Sequence, residues 1–258
     1  MQASPFATQS HLSPQLHVGC AGWSLPRAAW PSFPADGTHL QRYAARLNAA
    51  EINSSFYRPH QSATYAGWAA SVPDYFRFSV KLPKTITHQL RLRDCAPLLD
   101  AFLTQVGGLR DKLGCLLVQL PPSLAFDAAV VGDFLRHLRQ RHSGPVALEP
   151  RHASWFEPPA DALLQARQIG RVLADPQTHA AGCQPGGFEG LVYVRLHGSP
   201  RMYYSTYSPA LLDALAARLD VAARSGAEVW CVFDNTAMGA AVTDALYTFD
   251  ALQGLAGG

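Results

Sequence analysis

From residue 15 onward, short apolar runs alternate with longer amphipathic ones. His17–Ala21, Ala49–Asn53, Tyr75–Leu82, Gly114–Leu120, Val146–Leu148, Arg171–Ala174, Leu191–His197 and Glu228–Phe233 are rich in β-branched or aromatic residues and bounded by Gly, Pro, Asn or Asp. They predict eight strands. Between them Leu40, Tyr43, Ala44 and Leu47 fall on one helical face, as do Phe134, Leu135 and Leu138. Leu211, Leu212, Leu215 and Leu219 make a third stripe, opened by Ser208 as a cap and Pro209 in the first turn. A last helix is predicted over Ala240–Leu252. The strands recur every ~20 to 40 residues, the repeat of a βα unit. Eight such units in 258 residues predict an α/β fold, a single (β/α)8 barrel with room for irregularity. A doubly wound open sheet is the alternative, but Gly19-Cys-Ala-Gly22-Trp23 does not fit its nucleotide-binding fingerprint. The reading is a polar N-terminal tail over 1–14 and one barrel domain over 15–258.

Alternation within the strands separates two faces. In the third, Phe76, Phe78, Val80 and Leu82 oppose Arg77, Ser79 and Lys81; in the seventh, Val192, Val194 and Leu196 oppose Tyr193, Arg195 and His197. In the fifth, Val146 and Leu148 oppose Ala147, Glu149 and Arg151. The apolar sets are assigned to the helices and the polar sets to the lumen. Toward the carboxyl ends of the strands, where barrel enzymes carry their sites, the lumen becomes polar. Glu51, Asn53, Lys81, Gln119, Glu149, Arg151, Asp175, Arg195, His197, Asp234 and Asn235 all fall there, with Trp23 beside Gly22 on the first strand.

Composition narrows the class. With 48% hydrophobic and 16% charged residues the chain is globular, and a net charge of +2 is too small to drive a general polyanion coat. No apolar run is long enough for a membrane span, so no membrane partner is expected. Five scattered cysteines without a C-x-x-C pair argue against a disulfide framework; Cys20, Cys115 and Cys231 sit in apolar runs as buried thiols. The N-terminus lacks the features of a signal peptide, and the cytoplasm is the expected location.

The segments Glu-Ile-Asn-Ser-Ser-Phe-Tyr-Arg-Pro (51–59), Phe-Arg-Phe-Ser-Val-Lys-Leu-Pro-Lys-Thr-Ile-Thr-His (76–88), Gln-Leu-Pro-Pro-Ser (119–123), Glu-Pro-Arg-His-Ala-Ser-Trp (149–155) and Val-Arg-Leu-His-Gly (194–198) resemble the YecE-like proteins, catalogued as domain of unknown function seventy-two. The resemblance runs in order from Gly19 to Asn235. It implies a TIM-type barrel and no established activity. One departure is Pro150, where similar proteins often carry Val or Phe; a proline removes a ladder donor and is expected to end the fifth strand early.

The mouth suggests its own chemistry. Lys81, Arg151 and Arg195, with Arg201 from the loop after the seventh strand, form a cationic group suited to phosphate or carboxylate. The competing expectation is that Arg151 pairs with Glu149 and Arg195 with another carboxylate, leaving a structural network. Glu51 and Glu149 are candidate bases; His152 and His197 are candidate proton carriers. Trp23, Tyr57, Trp155, Tyr204, Tyr203 and Tyr207 offer stacking surfaces, while Asn53, Gln119, Asp234 and Asn235 complete the polar lining. Glu, His and Asp at adjacent strand ends are metal-ligand types, but no His-x-His or His-Glu-x-x-His spacing occurs. No metal ligand is assigned and the cofactor is left unknown. The loops Pro83–Cys95 (Lys84, His88, Arg91, Arg93) and Gly198–Ser208 suit lids, and their mixture of basic and aromatic residues also suits nucleic acid. The leading reading is an enzyme, a hydrolase or lyase working by acid–base chemistry, whose partner is a small anionic ligand at the carboxyl-terminal mouth. The alternatives are a nucleic-acid-binding protein or metal-dependent phosphodiesterase, and a non-catalytic small-molecule binding protein.

Overall fold

The computed structural model describes residues 12–177 and 179–256. Of the tail assigned to 1–14 only residues 12–14 are described, and Leu12 is buried in the outer core; residues 257 and 258 of the barrel assignment also fall outside. Ten strands form one sheet: β1 (Leu16–Ala21), β2 (Ala49–Ile52), β3 (Arg77–Lys81), β4 (Leu113–Gln119), β5 (Val146–Glu149), β6 (Ile169–Arg171), β7 (Leu173–Asp175), β8 (Gly186–Gly187), β9 (Leu191–Leu196) and β10 (Glu228–Phe233). Parallel pairing runs β9-β10-β1-β2-β3-β4-β5-β6, and β7 pairs with β9. Only Val172 separates β6 from β7. The predicted sixth strand is therefore two short pieces, one bonded to β5 and the other to β9, and together they bring the two ends of the barrel round to each other.

The helices are α1 (His39–Ala44), α2 (Ser54–Tyr57), α3 (Ser62–Ala70), α4 (Ala96–Val106), α5 (Ala128–Arg141), α6 (Pro158–Ala166), α7 (Pro209–Arg224) and α8 (Ala240–Ala256). Caps explain several starts: Thr38 and Gln41 form a capping box on α1, Asp127 accepts from Ala129 and Val130 on α5, and Ser208 accepts from Leu211 on α7. On α7 the buried stripe is Leu212, Ala216, Leu219 and Ala223, and Leu211 is exposed. Two alanines in that stripe carry little hydrophobic weight, so the leucines alone placed the face one residue off. None of the described helices is long and apolar enough to cross a membrane.

The connection from β7 to β9 carries no α-helix among the described residues. A 3-10 turn and β8, antiparallel to β6, stand in its place. No hydrophobic run marks β8, because both its residues are glycine. Gly187 takes φ +67°, and a Cβ there would lie 2.4 Å from the Ile169 carbonyl.

Two apolar layers result. Residues such as Val18, Ile52, Phe78, Val80 and Leu148 pack between sheet and helices, whereas Ala49, Cys115, Leu117, Ala147, Tyr193, Trp230 and Val232 form a separate, smaller cluster. Strand alternation places the second cluster in the lumen. Trp230 fills its lower part, 4.4 Å from the His17 ring and stacked on Tyr193 at 6.0 Å. Gly114 makes room for that indole: a Cβ there would sit 2.4 Å from it. The aromatic plug is the floor on which the polar layer rests.

Candidate functional site

Above the plug, four strands aim charged side chains at one point. Arg195, 1% exposed, stands at the centre. Its Nε and Nη2 grip Glu51 at 3.0 and 2.7 Å, its Nη2 reaches Asp234 at 3.0 Å, and its Nη1 lies 3.3 Å from Glu149. The Tyr193 hydroxyl donates to Glu51 at 2.9 Å and lies 2.9 Å from the Ser79 hydroxyl, so the lumen core props the carboxylate from below. Glu149, fully buried, also accepts from Gln119 Nε2 at 3.1 Å and from the Arg151 guanidinium. Burying carboxylates is costly unless hydrogen bonds replace water. Here each has at least two donors.

His197 links the two halves of this network. Its Nδ1 is 3.0 Å from Asp234 Oδ2, and its Nε2 is 3.1 Å from Glu149 Oε1 and 2.9 Å from Arg151 Nη2. Burial alone would lower its pKa, but hydrogen bonds to Asp234 and Glu149 raise it above the usual value. Burial would likewise raise Glu149, yet Arg195, His197 and Arg151 hold it well below the carboxylate range. Asp234 is lowered against its burial by Arg195 and His197. Each state of His197 is satisfied: the imidazolium donates to both carboxylates, and the neutral ring accepts from Arg151 while donating to Asp234.

Lys81 differs from the other cations. It is 7% exposed, and its Nζ lies 4.2 Å from the centre of the Phe56 ring. Among the described residues its Nζ makes no ion pair or hydrogen bond. Burial, and next the charge of Arg195, push its pKa down to about 8. Phe56 escaped the sequence reading. It lies in the resembling segment 51–59, on α2, but no periodicity marks the residue under a lysine of the next strand. Of the candidate residues, Asn53 Oδ1, Arg151 Nε and Asn235 Oδ1 are also buried without a hydrogen-bond partner among the described residues.

The structure thus brings together Glu51, Lys81, Gln119, Glu149, Arg151, Arg195, His197 and Asp234. Other candidates lie elsewhere. His152 caps the turn after β5, with Nδ1 2.9 Å from the Ser154 hydroxyl, instead of joining His197. Trp155 is fully buried, donates to the Leu124 carbonyl and packs on Phe126, so it offers no stacking surface. Trp23 turns outward after Gly22 and packs on Trp68 and Phe78, at 5.2 and 6.1 Å. Tyr57 is 70% exposed on α2 at the rim. Asn53 belongs to no strand; it precedes α2 with helical backbone angles. Asp175, Tyr207 and Asn235 hold the loop after β9: Tyr207 donates to Asp175 at 2.7 Å, and Asn235 donates to Asp244 at 2.7 Å. Tyr203, from the same loop, meets His197 edge-on at 5.8 Å. Arg201 is exposed and stacks 3.9 Å over Tyr204. Arg91 is tied to Ser123 and Arg93 to Asp127, so these two cations pin their own loop. Among the described residues no three His, Cys, Asp or Glu side chains form a metal-holding group; the carboxylates around His197 are already bonded to arginine.

Comparison with known proteins follows this geometry. A family model described as "Protein of unknown function DUF72" matches residues 17–256. The UPF0759 protein YecE of Escherichia coli strain K12 is 30% identical over 173 residues, 64% of this chain and 61% of that protein. The UPF0759 protein YunF of Bacillus subtilis strain 168 is 28% identical over 150 residues, 56% of this chain and 53% of that protein. The match thus spans less than two thirds of the length of these curated relatives. A solved DUF72 family protein from Enterococcus faecalis V583 superposes with a TM-score of 0.76 at 21% identity, over 92% of this chain and 95% of that one. One from Thermotoga maritima MSB8 gives 0.75 at 24% identity, over 92% and 99%. These two likenesses concern the fold alone.

Proposed function

The chain belongs to the family of proteins of unknown function DUF72, and on that footing we propose that it is a barrel enzyme performing acid–base chemistry on a small anionic substrate at the carboxyl-terminal mouth. The observation that carries the reading is His197. A buried imidazole between two carboxylates, with an arginine donor on the same nitrogen as one of them, has hydrogen-bond partners whether or not it holds a proton. Such a group transfers protons near neutral pH without leaving a buried charge unpaired.

The charge count supports an anionic substrate. Lys81, Arg151 and Arg195 face Glu51, Glu149 and Asp234, so the cluster is neutral with neutral His197 and singly positive once it is protonated. In a concave site that excess favours one anion. Arg151 and Lys81 are the groups with donor capacity to spare, Glu149 stays ionised and accepts a hydrogen bond from the imidazolium of His197, and Tyr203 covers the ring.

Calorimetric titration with inorganic phosphate and with glycolate tests the reading, together with a turnover screen of small phosphate and carboxylate esters. Saturable binding is expected near pH 6. It weakens above about pH 8 as Lys81 loses its proton, and Arg151→Met weakens it about tenfold or more, ~1.4 kcal/mol. In His197→Gln, which loses the proton carrier as well as the positive charge, turnover is expected to fall by a larger factor than binding does. Failure of both anions to bind at millimolar concentration near pH 6 overturns the proposal.

A further inference from the structure

Two buried lysines in this chain have opposite surroundings. Lys112, 5% exposed, donates to the Asp74 carbonyl at 2.8 Å and lies 3.3 Å from the Asp74 carboxylate and 3.4 Å from Asp111. Its ammonium is neutralised and held. Lys81 is nearly as buried, yet the acids close enough to influence it, Glu51, Glu149 and Asp234, are bonded to Arg195, Arg151 and His197. The aromatic face of Phe56 is what its Nζ touches. An unpaired ammonium in a desolvated place, beside a second cation, is the arrangement that makes a lysine a nucleophile.

We propose that Lys81 is a covalent catalytic residue that condenses with the carbonyl carbon of a small anionic aldehyde or ketone, such as a 2-oxo acid, forming an imine at the barrel mouth. This rests on the reading of the mouth as an enzyme site for small anions, and it names the substrate class. The Nζ lone pair forms the C–N bond while the C=O π pair moves to oxygen, which takes a proton. The nitrogen loses its protons as that oxygen leaves as water, and the C=N bond closes. Amine and carbonyl thus give imine and water, with no oxidant or reductant. His197, with Glu149 and Asp234 on either side, is the proton carrier nearest in kind, and the cations of the mouth receive the substrate's carboxylate or phosphate.

The free-amine fraction sets the scale. With a pKa of about 8, about half of Lys81 is amine at pH 8, against about 0.3% for a lysine at the ordinary 10.5.

The test is reductive trapping with glyoxylate and sodium cyanoborohydride near pH 8, followed by peptide mapping. The chain holds three lysines, 81, 84 and 112, so the assignment is direct. Lys81 is expected to acquire the carboxymethyl group at least about tenfold faster than Lys84 or Lys112, and inorganic phosphate is expected to slow it. Lys81→Arg abolishes the adduct while its circular dichroism and melting temperature show the barrel still folded. An unlabelled Lys81, or one labelled no faster than Lys84, in a protein that still binds phosphate overturns this inference and leaves the proposed function standing. An unlabelled Lys81 in a wild-type protein that binds neither phosphate nor glycolate overturns both.

Discussion

Arg195→Met probes how the site is held together. Methionine keeps much of the length and apolar stem of arginine but removes the guanidinium from among three carboxylates. Glu149 retains Arg151, Gln119 and His197, and Asp234 retains His197. Glu51 is left with the Tyr193 hydroxyl and no cation, although it is fully buried. The damage therefore falls mainly on one carboxylate, and the expected loss is that of one broken buried pair, about 3–5 kcal/mol, from a total stability of about 5–15 kcal/mol. Urea unfolding followed by tryptophan fluorescence measures it as a lowered midpoint at unchanged slope, and thermal unfolding as a drop of roughly 2–4 °C per kcal/mol.

Adding Glu51→Gln to Arg195→Met removes the orphaned charge and recovers most of the loss. A loss below about 1 kcal/mol at pH 7, or no recovery in the double variant, refutes the account of Glu51 and Arg195 as a mutually required pair.

Two further outcomes follow from the same geometry. Gly114→Ala puts a Cβ 2.4 Å from the Trp230 indole. Overpacking of this kind is expected to cost about 1–3 kcal/mol and to disturb the plug below the network; an unchanged melting temperature would contradict the role given to Gly114. His197 has a raised pKa, so its contribution is complete below its unfolded value and is lost as pH rises through the folded one. The stability difference between wild type and His197→Gln is therefore expected to shrink as pH rises above the ordinary histidine range, and a constant difference would show that the imidazole does not titrate in the folded protein.

How far the sequence disclosed the site depended on whether a residue lies inside a strand. Period-two alternation states which way a side chain points only while the backbone stays extended. Glu51, Lys81, Gln119, Glu149 and Arg195 sit within β2, β3, β4, β5 and β9, and all five reach the cluster. Beyond the strand ends the direction is set by the turn. Gly22, at φ +92°, turns Trp23 away from the lumen; β5 stops at Glu149, before Pro150, and His152 becomes a cap; Asn53 enters α2 instead of prolonging β2. His197 and Asp234 lie one residue past β9 and β10 and still point inward, because both remain in the ladder: His197 N donates to the Asp175 carbonyl and Asp234 N to the Leu196 carbonyl. The split of the sixth strand was hidden for a related reason. Val172 continues the apolar run while the two pieces change neighbours, and composition does not record which neighbour a strand bonds.

Pairing was the other unreadable quantity. A cationic mouth and a neutral internal network were opposed expectations, and the structure contains the materials of both. The planar fork of Arg195 reaches three carboxylates at once, and Arg151 and His197 occupy what remains of Glu149 and Asp234. A lysine, with a compact ammonium on a flexible stem, competes poorly with such forks for carboxylate oxygens. In a chain where 18 of 21 cations are arginine, the lysine facing the lumen at the end of β3 is consequently the cation left over. Its isolation is a product of the network, because Glu51, Glu149 and Asp234 are already bonded to Arg195, Arg151 and His197.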